Sequence, residues 1–130
     1  MRRLLLLALI PCFFAGYVAA DGNQLLEQCQ SAQRLIDSVP TSNIVDAGEC
    51  IGTLQGTVDT LEISRHTFSN DKTKPLPPLI CWPAEAVVPR AQSIRIVVKY
   101  LQQHPQELHM NGSTLAILAL ADAFPCNKSR

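Results

Sequence analysis

Aromatic residues make up only 5% of this 130-residue chain, and no stretch alternates apolar and polar residues for the length of a strand. Half-buried strands need that alternation, filled with β-branched and aromatic side chains, so a sandwich or barrel is excluded. No Cys-x-x-Cys occurs among the five cysteines, which removes thioredoxin-like exchange and the common zinc knuckles. His104 and His109 are five residues apart, so they do not share a helix face as a His-x-x-x-His metal pair would, and His66 stands alone. No metal site and no cofactor is expected. Basic residues are scattered, which argues against a nucleic-acid partner. A Gly-rich phosphate loop, a nucleophile motif and a convincing acid pair are all missing; Asp59 and Glu62 share a helix face but read as solvated carboxylates. The chain is not expected to be an enzyme.

What is present begins with an export signal. Met1-Arg2-Arg3 is a short basic start, and Leu4 to Val18 is almost uninterruptedly apolar. Val18-Ala19-Ala20 then offers small residues where a signal peptidase reads, followed by Asp21. The apolar run falls short of the ~20 residues that span a bilayer. Residues 1–20 are therefore expected to be cleaved, leaving residues 21–130 as one domain with no membrane segment. Removing Arg2 and Arg3 leaves nine basic residues against eleven acidic ones, a formal charge of −2.

Periodicity predicts an all-α fold, a small disulfide-clamped bundle of four to five helices. The first helix is expected over Asn23 to Val39, with Leu25, Leu26, Cys29, Ala32, Ile36 and Val39 on one stripe and Pro40 as the stop. The second follows Thr41-Ser42-Asn43, which offers cap residues, and should end near Arg65. Its stripe is Ala47, Cys50, Leu54, Val58 and Leu61. A loop is expected from His66 to Ile80, stiffened by Pro75, Pro77 and Pro78. The third helix should start at Pro89, burying Ala91, Ile94, Val97, Val98 and Leu101 and leaving Arg90, Arg95 and Lys99 outside. The fourth is expected over Gln106 to Phe124, with Leu108, Leu115, Leu118, Ala119 and Ala123 apolar. Asn111-Gly112 should kink or break it, with a restart at Ser113 as the alternative.

Cys12 leaves with the signal. The remaining Cys29, Cys50, Cys81 and Cys126 allow three pairings, and the sequence alone does not choose among them. Cys81 and Cys126 bracket the last two helices and meet if those run antiparallel, which leaves Cys29 with Cys50. Against that pairing, a hairpin turning near Ser42 would set Cys29 opposite about residue 55, roughly 7 Å along the axis from Cys50. Gly48, Gly52 and Gly56 recur every four residues on the face opposite Cys50 and Leu54. Such a flat ridge should pack against a neighbour, either another helix of the same chain or a second subunit.

Several short words recur in one family. Cys81-x-Pro83, Val88-x-x-x-Gln92, Val97-x-x-Tyr100-Leu101-x-x-His104-Pro105-x-x-Leu108-His109, and Ala119-Leu120 with Ala123-Phe124-Pro125-Cys126 resemble the type VI secretion amidase immunity family, the Rap/Tai group. Cys50-Ile51-Gly52-x-x-x-Gly56-x-x-Asp59 resembles that family's second-helix motif. The likeness runs from about Leu25 to Cys126. It implies a small helical periplasmic protein, often a homodimer, that binds an exported peptidoglycan amidase and blocks its groove. The alternative is a periplasmic helical stress chaperone or a structural binding protein without a toxin partner.

Two surfaces are expected to meet such a partner. The first is the proline-backed loop, with Phe68 as an apolar anchor and Asp71, Lys72 and Lys74 steering the encounter. The second is the corner from Gln103 to Asn111, which carries His104 and His109.

Overall fold

The computed structural model describes residues 20–40, 43–69, 78–83 and 88–126. Among them run four α-helices, α1 (Gly22–Ile36), α2 (Ile44–Ser69), α3 (Arg90–Gln103) and α4 (Gly112–Ala123), with a single 3₁₀ turn, Pro105–Glu107, between α3 and α4. The fold is all-α. The only β-type pairing among the described residues is an isolated bridge between Asp21 and Asn111.

Each helix starts where its sequence supplies an acceptor for free N–H groups. The Asp21 carboxylate accepts from the Gln24 N–H at 3.0 Å and opens α1. The Asn43 side chain accepts from the Asp46 N–H at 3.1 Å and opens α2. Pro89 lies just outside α3, with extended ψ of 143°, and its carbonyl accepts from Gln92 and Ser93. Asn111 accepts from the Thr114 N–H at 3.2 Å and opens α4. That last cap settles the expected weak spot. The helix predicted from Gln106 does not exist as one piece; the chain turns through Pro105–Glu107 and restarts at Gly112, one residue before Ser113.

Leu115, Ala116, Ala119 and Leu120 are buried, whereas Leu118 and Ala123 are exposed and Leu108 is half-buried outside any helix. Leu118 points away from the buried face, whereas Ala123, in line with Ala119, is exposed because it is the last residue of the helix.

Helix α1 ends three residues earlier than predicted. The Ser38 N–H donates to the Leu35 carbonyl and the Val39 N–H to the Arg34 carbonyl, while Ser38 takes φ of 57°. This is the paired bonding of a Schellman stop, with serine where glycine is usual. It turns Val39 away from the core, and Val39 is exposed. Helix α2 runs past Arg65 to Ser69, so His66 and Phe68 belong to its last turn and not to a loop.

Both disulfides form the neighbouring pairs, Cys29–Cys50 with Cα atoms 5.0 Å apart and Cys81–Cys126 with Cα atoms 4.9 Å apart. The early stop of α1 removes the register mismatch. Cys29 lies seven residues before the end of α1 and Cys50 six after the start of α2, so the turn is centred near Pro40 rather than Ser42. The first disulfide sits at the centre of the core, with both cysteines fully buried among Leu25, Ala32, Ala47 and Leu54. Ile94, Val97, Val98 and Leu101 of α3 close the core from the other side, while Arg95 stays outside and pairs with Asp37 at 2.5 Å.

The second disulfide is a surface clasp. Cys81 is exposed and its N–H donates to the Phe124 carbonyl at 3.0 Å. Trp82 packs on Phe124 with ring centroids 5.0 Å apart, and Ile80 drops into the core beside them. Together these contacts hold the segment 78–83 against the end of α4.

Candidate functional site

Among the described residues, helix α2 packs mainly on one side. Ala47, Cys50 and Leu54 face α1 and the core. On the opposite side Gly48, Gly52 and Gly56 are exposed, and a Cβ added at any of them meets nothing within 4 Å. Of the two neighbours expected for the ridge, no described helix of this chain lies directly on the three glycines, although Ser113 and Ile117 of α4 stand beside Gly52 and Gly56. The reason lies in the bridge: Cys29–Cys50 pins α1 to the other face. Two large apolar side chains extend the open face at its ends, Val45 at 68% exposure and Ile63 at 65%. Sequence reading missed both because neither lies on the core stripe. The signal was available, since a helix with apolar residues on opposite faces must be covered on both.

Beside the ridge lies a groove of about 440 Å³, floored by Gly52 and Gly56 and walled by Thr53, Thr57, Thr60, Leu61, Ser113 and Ile117. The Thr57 and Thr60 hydroxyls each donate back to their own helix, to the Thr53 and Gly56 carbonyls at 2.7 Å. Their hydrogen-bonding need is therefore met within the helix, and the groove does not require a polar occupant. Elsewhere, Gln28 on α1 donates its amide to the Glu49 carboxylate of α2. Its Oε1 is buried without a partner.

The corner between α3 and α4 is a separate cluster. His104 stacks on Tyr100 with centroids 4.0 Å apart, and its Nδ1 lies 2.8 Å from the Tyr100 carbonyl. The Tyr100 hydroxyl donates to Glu107 at 3.1 Å. Burial, then the bond to Glu107, raises the Tyr100 phenol above its ordinary value, so it stays a donor there. His104 is half-buried and tied into this packing, whereas His109 is exposed, with Nδ1 3.0 Å from the Gln106 carbonyl. The structure therefore separates the two histidines: His104 closes α3 and His109 lies exposed on the turn that follows. Phe68 lies in the last turn of α2, and Asp71, Lys72 and Lys74 lie outside the described residues. Among the described residues no group of three or more His, Cys, Asp or Glu side chains gathers as a metal cage, and no helix is long and apolar enough to cross a membrane.

A bundle pinned by two disulfides, with an uncovered helix face, suits binding better than chemistry. The comparison with known families agrees: the model of the Rap1a immunity proteins matches residues 21–126. The chain belongs to the Rap1a family. Rap1a proteins are type VI secretion immunity proteins, which act against a secreted effector and are typically not enzymes. The match begins at Asp21 and ends at Cys126, so it takes in all four helices and both bridges. No curated protein and no solved structure matches the chain.

Proposed function

We propose that this Rap1a protein is exported to the periplasm, acts there as a homodimer, and neutralises a peptidoglycan amidase by occluding its active-site groove. The family match over residues 21–126 carries the reading. The two disulfides support an oxidising compartment, since such bonds persist outside the cytoplasm. The amidase target follows from the resemblance of the motif words around Cys81 and His104-Pro105 to the amidase-directed group. The homodimer is what the resemblance implies, and the ridge of α2, which no described residue covers, is consistent with it.

Occlusion requires a rigid protrusion. The stretch that leaves α2 at Phe68 and returns to the bundle at Pro78 remains the first candidate, with Asp71, Lys72 and Lys74 steering the encounter. Its return end is fixed by the Cys81–Cys126 clasp, which lowers the ordering cost of binding. The exposed His109 corner is the second. Cleavage after Ala20 would remove the carbonyl that accepts from the Gly112 N–H at 2.8 Å, but would leave the bond from the Gly22 N–H to the Met110 carbonyl at 3.0 Å.

The test is inhibition of the exported amidase encoded nearest the gene, measured as peptidoglycan cleavage against added immunity protein. Stoichiometric inhibition is expected. Replacing Asp71, Lys72 and Lys74 together by alanine should weaken it and leave the helical spectrum unchanged. No inhibition of any co-encoded exported amidase would sink the amidase reading, and an unaltered triple variant would move the docking surface to the His109 corner.

A further inference from the structure

The two bridges sit in different surroundings. Cys29–Cys50 joins α1 to α2 inside the core, where neither cysteine meets solvent. Cys81–Cys126 joins two segments at the surface, the stretch 78–83 and the residues just after α4. Cys81 is exposed and Cys126 half-buried. Exchange with an external thiol needs access to a sulfur, so the surface bridge is open to it and the core bridge is not.

Besides the sulfur link, the stretch 78–83 is held by the Cys81 N–H bond to the Phe124 carbonyl at 3.0 Å, the Trp82–Phe124 ring pair at 5.0 Å and the burial of Ile80. Two of these contacts act through Phe124, which lies two residues before Cys126 and closes α4. Fixing six residues costs more conformational freedom than one hydrogen bond, one ring pair and one buried side chain return. The covalent link tips the balance, because it keeps Cys81 beside the end of α4 across 45 residues of sequence. The bundle itself does not depend on it. Leu25, Cys29, Ile94, Leu101, Leu115 and Leu120 are fully enclosed well away from the clasp, and the core bridge ties them together.

We propose that Cys81–Cys126 is a redox site served by a dithiol oxidoreductase, and that opening it releases the stretch 78–83 while the four helices stay folded. The consequence for inhibition rests on the occlusion reading above, in which this stretch is the return end of the occluding segment. A thiolate of the partner attacks the exposed Cys81 sulfur and forms a mixed disulfide, while Cys126 leaves as a thiolate and takes a proton from water. The partner's second thiolate then attacks the partner sulfur of the mixed disulfide and expels Cys81, which is protonated in turn. Two electrons have passed to the bridge, and the partner's dithiol has become a disulfide. The same steps run backwards when the partner arrives oxidised. The clasp therefore closes in an oxidising compartment and opens in a reducing one. Inhibition is thereby armed only where the surroundings are oxidising. Trp82 is the chain's single tryptophan and adjoins Cys81, so its emission reports this site alone.

The test uses the folded chain from Asp21 to Arg130, thioredoxin in catalytic amount and a small dithiol to recycle it. Alkylation and peptide mapping should find Cys81 and Cys126 labelled at least about tenfold faster than Cys29 and Cys50. The small dithiol alone should be about tenfold slower, and equal rates overturn the claim of a protein partner. In the same samples the Trp82 emission should move to longer wavelength and become open to iodide quenching, with the helical circular dichroism unchanged. Oxidised glutathione should reverse both changes at Trp82. Labelling of the pair with no change at Trp82 overturns the proposal, because the stretch then stays docked without its link. Loss of helix as the pair is labelled overturns it as well, because the bundle then needs the link. Cys81→Ser/Cys126→Ser provides the open state with no reductant present. It should match the reduced parent in emission and quenching, and a double variant that keeps the parent's emission refutes the release. Amidase inhibition is read last. The opened protein should inhibit about tenfold more weakly, and equal inhibition by the open and closed forms refutes the control of inhibition. A closed parent that inhibits no exported amidase sinks the occlusion reading, and Trp82 then decides the redox site by itself.

Discussion

Asp21 and Asn111 face each other across an antiparallel bridge, and each caps the helix that follows it. Each is followed by a buried glycine, Gly22 and Gly112, at the first position of its helix. The starts of α1 and α4 thus lock together through two Asx-Gly pairs. The approach is close because neither glycine has a Cβ: one built on Gly22 falls 2.9 Å from the Leu108 Cα and carbonyl oxygen.

From this contact we predict that Gly22→Ala destabilises the fold by about 2 kcal/mol, the usual cost of forcing a methyl into packed backbone. Urea unfolding at neutral pH measures it. An unchanged midpoint would show that the α1–α4 junction can slide apart at no cost.

Asp21 also predicts a pH response. The Gln24 N–H chiefly holds its carboxyl below the ordinary 3.8, aided by Asn23 against a small opposing effect of burial. A carboxylate lowered in the folded state contributes stability that is complete above its unfolded value and is lost as pH falls through the folded value. Between about pH 5 and pH 2 the parent should therefore lose more stability than Asp21→Asn in a chain of the same length, since asparagine caps without titrating. Parallel acid-unfolding curves for the two proteins would refute this.

Ser38 supplies a stabilising substitution. It holds φ of 57° at the end of α1, where a Cβ is unfavourable by about 1 kcal/mol. Ser38→Gly should recover up to about 1 kcal/mol, less the extra freedom glycine has when unfolded. Differential scanning calorimetry should show a higher melting temperature; a lower one would mean that unfolded-state entropy outweighs the relief.

The two bridges should differ in both stability and access. Chain entropy alone ranks Cys81–Cys126 first, with about 4 kcal/mol for its longer loop against about 3 kcal/mol for Cys29–Cys50. Burial reverses that order. Cys29 and Cys50 are fully enclosed, so alanine at both also leaves a core cavity. We predict that the Cys29→Ala/Cys50→Ala pair costs more than Cys81→Ala/Cys126→Ala. We also expect that mild reductant acting on the folded protein frees the thiols of Cys81 and Cys126 first. Peptide mapping after alkylation identifies them, and early labelling of Cys29 would contradict the enclosed core.

The elements were legible in the sequence because their signals are local. Asp21, Asn43 and Asn111 are cap residues by type, and the stripes of α1, α2 and α3 follow from apolar spacing. One misreading came from backbone behaviour that spacing does not encode. Ser38 adopted a left-handed conformation that glycine usually takes, which shortened α1. The break at Asn111-Gly112 was legible from the glycine, and Asn111 makes it by capping the helix that restarts at Gly112. The glycine ridge was visible as a pattern, but whether its own chain covers it depends on where α1 and α4 pack. Only tertiary structure answers that.

The bridges join the four cysteines that follow Cys12 in order along the chain, Cys29 to Cys50 and Cys81 to Cys126. A polypeptide that enters an oxidising space N-terminus first therefore meets each correct partner before any wrong one. Cys29 can close on Cys50 while the later half is still in transit. Cys81 then has only Cys126 left to find. Maturation of such a chain needs an oxidant at each closure and no isomerase to undo mistakes.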